Sequence, residues 1–285
     1  MFHVESSDGV SVAVHEFADA DPLPPLLIAH ATGFHAHCYT PIARGLGSRY
    51  RCVGLDFRGH GETAPVPART VDWAHFGDDA LAVATAIAPG GGLVGFGHSM
   101  GGAALLMAAH RRPALFERLV LFEPIVHLPS PVRLTDDELR RIPIIAGALR
   151  RRTRFASFDE AYHNFRSKPP MSLMVDEVLR HYVDHGFRAI VDEDDRPAVE
   201  LRCHPELEAR IFMTGRDNGL WEVLGEVTTP TVVLGGHVEE AQPSAASRTI
   251  ADRLPAGRYV LLDHQTHFGP FSHPDELVRL IAEPV

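Results

Sequence analysis

Leu93-Val94-Gly95-Phe96-Gly97-His98-Ser99-Met100-Gly101-Gly102-Ala103-Ala104-Leu105-Leu106 reads as a strand, a tight turn and a helix, in that order. A serine at the tip of such a turn must take a strained backbone. The residues two before and two after it must be small, because a Cβ there would strike the facing backbone. Gly97 and Gly101 meet that demand. The helix that follows points its amino-terminal dipole and free N–H groups at the serine, which favours negative charge developing on a bound oxygen. In a chain with 24 glycines G-x-S-x-G also arises by chance, so the strand before it and the apolar helix after it are what make Ser99 a candidate nucleophile.

Outward from this turn, short apolar runs alternate with longer helix-like segments, the pattern of a parallel sheet covered by helices on both faces. Strands are expected at residues 26–29, 52–56, 92–96, 118–122, 231–234 and 258–262. The turns His30-Ala31-Thr32-Gly33, Asp56-Phe57-Arg58-Gly59-His60-Gly61 and Gly97-His98-Ser99-Met100-Gly101 follow three of them, at the sheet edge where ligands bind. Between Pro124 and Thr229 the alternation stops. Thr135 and Glu138 have capping-box spacing before an apolar series, and Pro143 kinks or breaks that helix. Further helices are expected from Ser157 or Asp159 up to Pro169, and over 172–184 with Gly186 closing it; residues 187–192 and 198–203 suit a hairpin. The run Arg150-Arg151-Arg152-Thr153-Arg154 reads as a solvated helix end.

The 285 residues are 45% hydrophobic and 22% charged, a globular balance that excludes disordered, collagen-like and coiled-coil chains. A net charge of -10 repels phosphate backbones and anionic lipid headgroups, so neither nucleic acid nor a membrane is an expected partner. Cys38, Cys52 and Cys203 lack C-x-x-C spacing and read as free thiols in a reducing cytosol. Residues 1–8 lack the basic start and apolar run of an ordinary signal peptide, and a cytoplasmic location is expected. His30, His35 and His37 lack the following carboxylate and histidine of a hydrolytic zinc site, and no G-x-G-x-x-G follows the early strands, so no metal or cofactor is expected.

The serine turn, together with Leu26-Leu27-Ile28-Ala29-His30 and Asp56-Phe57-Arg58-Gly59-His60-Gly61, resembles the lidded, cofactor-free α/β-hydrolases. The resemblance implies a core of residues 1–126 and 227–285. It makes residues 127–226 a mainly helical lid between the sixth and seventh strands. By register it places the first oxyanion donor at Thr32, with Gly33 or Phe34 as substitutes, and the second at Met100; Ala31 stands where glycine is usual. It selects His267, in the loop after the last strand, as the base over His264. For the acid, the usual spacing after Gly236 points first to Glu239; Glu123, at the end of the sixth strand, is the alternative, and Glu240 follows if the loop shifts by one.

A serine at the turn disfavours the dehalogenase and epoxide hydrolase branches, which use aspartate there. What remains is carbonyl chemistry: cleavage of an ester or lactone of a small to medium, partly apolar substrate through an acyl-enzyme. A carbon–carbon hydrolase, a thioesterase or transacylase with the same triad, and a non-catalytic ligand-binding protein on this fold are the alternatives. Phe34, His98, Phe155, Phe158, Tyr162 and Phe165 are the candidate substrate contacts. The expected partner is a small-molecule substrate, and a homodimer is compatible with the chain.

Overall fold

The apolar runs become strands at each expected place, with two further strands ahead of them. The structure, a computed structural model, describes residues 1–17, 22–239 and 242–283. In chain order the strands are β1 (Phe2–Glu5), β2 (Ser11–Glu16), β3 (Pro25–Ala29), β4 (Arg51–Asp56), β5 (Leu93–His98), β6 (Phe116–Phe122), β7 (Arg154–Phe155), β8 (Phe187–Val191), β9 (Pro197–Leu201), β10 (Thr231–Gly235) and β11 (Gly257–Leu261). Eight form one sheet in the order β1-β2-β4-β3-β5-β6-β10-β11. β1 and β2 are antiparallel to each other, and β2 to β4; the remaining pairs are parallel. β1 escapes a search for continuous apolar runs because it alternates: Phe2 and Val4 are half-buried, whereas His3 and Glu5 are exposed.

Successive side chains in the central strands enter opposite faces, and both faces are covered. On one, Leu27, Ala29, Val53 and Leu55 pack with Phe76 and Leu105 from helices Trp73–Ile87 and Met100–Arg111. On the other, Leu26, Ile28, Cys52 and Phe96 pack with Ile42 and Leu277 from helices Thr40–Leu46 and Pro274–Ala282. Strand register then sets the level of the site. Phe122 pairs with both His98 and Leu234, so Ser99, Glu123 and the Gly235-Gly236 step leave the sheet side by side at its carboxyl edge.

The segment between β6 and β10 holds most of the remaining helices. Thr135 caps helix Asp136–Arg140 with both hydrogen bonds of the capping box, and Pro143 opens a new helix, Pro143–Leu149, so the proline breaks rather than kinks. Ser157 caps Phe158–Arg166. The next helix, Asp176–Gly186, starts four residues later than expected because Met171–Leu173 is a separate 3-10 turn and Val175 is extended. β8 and β9 form the expected hairpin, joined by β7. Helix Pro205–Thr214 was not anticipated; its Ala209 and Met213 close a small apolar cluster with Leu139, Ile145 and Ala148. Among the described residues no helix is long and apolar enough to cross a membrane.

Candidate active site

The serine turn is strained and the strain is held by its glycines. Ser99 sits at φ 57°, ψ -115°, a conformation that costs an L-residue about 1–3 kcal/mol. A Cβ on Gly101 would lie 2.0 Å from the Ala29 carbonyl oxygen, and one on Gly97 would lie 2.6 Å from Gly102 Cα. The turn is tied to β6 by the Ser99 N–H, which donates to the Phe122 carbonyl at 2.9 Å, and Ile125 N–H donates back to the Ser99 carbonyl at 3.2 Å.

His267 stands over this turn. Its Nε2 is 3.1 Å from Ser99 Oγ, and its Nδ1 is 2.6 Å from Glu123 Oε2. The second Glu123 oxygen accepts the Gly236 N–H at 2.7 Å. Since the buried Glu123 carboxylate can only accept, Nδ1 carries the imidazole proton and Nε2 is left free to accept from the serine. His264, the rival base, is a surface histidine paired with Glu276 at 2.7 Å.

Of the three candidate acids this geometry brings Glu123, and not the first choice Glu239, to the imidazole. Glu239 is exposed, and its N–H turns away to Ser244 Oγ at 3.3 Å; Glu240 lies outside the described residues. The reason is local to Gly236. A Cβ there would sit 3.0 Å from Glu123 Oε1 and 2.7 Å from the Gln265 carbonyl, so the bare backbone after β10 serves as donor to the carboxylate from β6. A signal was present in Leu121-Phe122-Glu123-Pro124: a charge directly ending the buried apolar run 119–122 needs buried partners.

Amide accounting separates the oxyanion candidates. Gly33 N–H donates to His60 Nε2 at 3.1 Å, Phe34 N–H to the Ala31 carbonyl at 3.1 Å and Ala31 N–H to Tyr39 Oη at 3.1 Å. Among the described residues the N–H groups of Thr32 and of Met100 have no partner. Ala31 is tolerated in place of glycine because the left-handed residue of this loop is Gly33, at φ 80°.

The fold, with its parallel sheet and the strained serine after β5, can be set beside known proteins. Residues 26–280 match the alpha/beta hydrolase family. The chain belongs to that family. It is 23% identical over 266 residues to a pimeloyl-[acyl-carrier protein] methyl ester esterase of Legionella pneumophila, covering 91% of this chain and 94% of that one. It is 26% identical over 242 residues to a monoacylglycerol lipase of Mycolicibacterium smegmatis, covering 83% and 77%. In structure it resembles E-2-(acetamidomethylene)succinate hydrolase, with a TM-score of 0.77 at 18% identity, over 98% of this chain and 96% of that one.

In this hydrolase the expected substrate contacts divide. Phe34 reaches the base loop and the inserted segment together, its ring centroid 4.6 Å from Phe271, 5.4 Å from Tyr182 and 6.0 Å from Phe268. Phe165 lies behind Tyr182 at 5.3 Å. Phe155 instead packs against Phe187 and under Arg152, and Tyr162 bonds Asp176 beneath Arg180, so both serve the packing of the inserted segment itself. Phe158 is half-buried against the same apolar cluster. His98 is 1% exposed with both ring nitrogens engaged, which removes it from the substrate contacts. Arg151, read as solvated, forms an ion pair with Glu208 at 2.8 Å; Glu208 is buried, and its carboxylate oxygen would meet a Cβ on Gly33 at 2.6 Å. No residue pattern in the sequence signals that pair, since it joins helix Pro205–Thr214 to a distant arginine.

Burial holds the histidines around the site neutral. Desolvation lowers His30 to about 3, His35 to about 4 and His60 to about 4, and places His98 well below its ordinary value. Unfolded, each takes up a proton near pH 6.5; folded, each stays neutral well below that. Between these values the unfolded chain binds more protons, so stability is complete above about pH 6.5 and falls as pH falls, by about 1 kcal/mol per pH unit per histidine. Urea unfolding at pH 7.5 and pH 5 is expected to give a markedly lower midpoint at pH 5; equal midpoints would contradict the neutral, buried state of these rings.

Proposed function

We propose that the chain is a serine hydrolase that cleaves a carboxylic ester or lactone of a small to medium, partly apolar substrate through an acyl-enzyme. The observation that carries this reading is the 3.1 Å contact of Ser99 Oγ with His267 Nε2, with Glu123 at the far nitrogen. Ser99 Oγ attacks the carbonyl carbon as its proton passes to His267 Nε2, and Glu123 stabilises the imidazolium. The carbonyl oxygen takes the negative charge and accepts hydrogen bonds from the Thr32 and Met100 amides. Collapse breaks the bond to the leaving alcohol, which takes the proton from Nε2. Water, deprotonated by the same nitrogen, then releases the acid and restores Ser99.

Residues 127–226 act in this reading as the lid, with helix Asp176–Gly186 presenting Tyr182 to Phe34 beside Phe268 and Phe271. Tyr182 and Phe271 are buried and back the half-buried rings of Phe34 and Phe268, which favour an apolar acyl or alcohol group. The ester preference is supported by the names of the relatives, an esterase and a lipase.

The test is a panel of aryl esters, lactones, acyl thioesters and dienoic ketones of matched length. Esters or lactones are expected to give the highest kcat/KM, with a burst of about one aryl alcohol per chain where deacylation is slow. Preference for the thioester or for carbon–carbon cleavage would replace the ester reading while keeping the triad. No turnover of any class, with bound ligand recovered intact, would place the chain among binding proteins.

A further inference from the structure

His98 is unused by the mechanism above, yet it is the residue next to the nucleophile and is buried between the base loop and the oxyanion loop. Its Nε2 lies 2.9 Å from the carbonyl oxygen of His267, and its Nδ1 lies 2.9 Å from Tyr39 Oη. Tyr39, fully buried at the end of the turn Ala36–Tyr39, accepts the Ala31 N–H at 3.1 Å. The protons of this chain can all be assigned. A carbonyl only accepts, so Nε2 carries the ring proton; burial keeps the imidazole neutral, so Nδ1 is a lone pair. Tyr39 must then donate its hydroxyl proton to Nδ1 while accepting from Ala31. Three hydrogen bonds run in one direction, from the residue before Thr32 to the backbone of His267, through the residue before Ser99.

We propose that Tyr39 and His98 are positioning residues that couple the oxyanion loop to the base, setting the Thr32 amide and the His267 ring in register with Ser99. This rests on the serine hydrolase reading. It goes beyond that reading in giving a role to two side chains that touch neither substrate nor reacting atoms. Other anchors hold the base loop in the fold: Gln265 N–H donates to the Leu262 carbonyl, His237 N–H to the Gln265 carbonyl and Gly269 N–H to the Thr266 carbonyl, at 2.7–2.8 Å. Cutting the Tyr39–His98 chain therefore misaligns the site without releasing the loop. Misplacement of reacting groups by a fraction of an ångström to an ångström lowers turnover about tenfold to a hundredfold.

Tyr39→Phe removes one hydroxyl and keeps the ring. The expected result is a fall in kcat of about tenfold with KM within about twofold, a circular dichroism spectrum like the parent's, and an equal slowing of Ser99 phosphonylation by a fluorophosphonate. Substitution of His98 then separates the two ends of the chain. His98→Gln can place an amide N–H near the Nε2 position and keep the bond to His267, whereas His98→Asn reaches only as far as Tyr39. The Gln variant is expected to keep several times more kcat than the Asn variant, and Tyr39→Phe with His98→Gln is expected to cost less than the product of the single effects.

Parental kcat and labelling rate in folded Tyr39→Phe would overturn the proposal, as would equal activity of the Gln and Asn variants, which a purely structural role predicts. If the parent protein is not labelled at Ser99, the serine hydrolase reading itself fails. If the parent is labelled and Tyr39→Phe is labelled equally fast, only the coupling role fails.

Discussion

Glu123→Gln is expected to lower kcat about ten-thousandfold with KM nearly unchanged, while Glu239→Gln stays within about twofold of the parent. The size follows from the two bonds that the carboxylate makes. Gly236 N–H points at Oε1 from 2.7 Å and requires an acceptor there, so an isosteric amide keeps its carbonyl oxygen on Gly236 and turns its NH2 group to His267. The imidazole Nδ1, 2.6 Å from that position, must then accept, which moves its proton to Nε2. A ring protonated at Nε2 cannot take the proton of Ser99, and the charge that would stabilise the imidazolium is gone as well. The shape of the side chain is preserved, so loss of activity is separable from loss of fold by comparing thermal unfolding of the three proteins. A large loss in Glu239→Gln with an active Glu123→Gln would reverse the assignment of the acid.

What could be read from the sequence, and what could not, follows the range of the forces involved. The serine turn is nearly a local object: Gly97, Ser99 and Gly101 lie within five residues, and the clash that makes a side chain intolerable at Gly101 is with Ala29 on the strand beside β5, a neighbour that a parallel sheet supplies. The strands of the central sheet were legible for a similar reason, since burial on both faces demands uninterrupted apolar runs, as in Leu119-Val120-Leu121-Phe122. Chain order alone picked out His267, the histidine that the structure sets 3.1 Å from Ser99 Oγ. The acid needed more. Choosing Glu123 over Glu239 requires knowing that β6 and β10 are level at Phe122 and Leu234, and that the bare Gly236 amide turns inward; both are facts of register between segments more than a hundred residues apart.

The inserted segment was hardest. Its capping box and its hairpin are local and legible, but helix Pro205–Thr214 opens on its own proline after a histidine cap, a weak signal. The aromatic residues divide by partner rather than by type: Phe34 faces the base loop, whereas Tyr162 is held by Asp176 and Arg180 within the segment. Nothing in a single chain of letters distinguishes those fates. The same holds for His98 and Tyr39, whose roles come from a chain of contacts across three loops.

Ser99→Ala carries the other large effect, and it addresses the nucleophile itself. Removing Oγ leaves the turn, the amides and the imidazole in place, since Ser99 is held by its backbone, through Phe122 and Ile125, and its side chain makes no capping bond to the following helix. The residual rate should be that of binding and oxyanion stabilisation alone, about a millionfold below the parent in kcat, with no burst. The decisive measurement is the steady-state hydrolysis of an aryl ester that the parent turns over, made on folded Ser99→Ala at equal concentration. A loss of at least about five orders of magnitude is the predicted result; a rate within tenfold of the parent would contradict the assignment of Ser99, and with it the catalytic reading of the site.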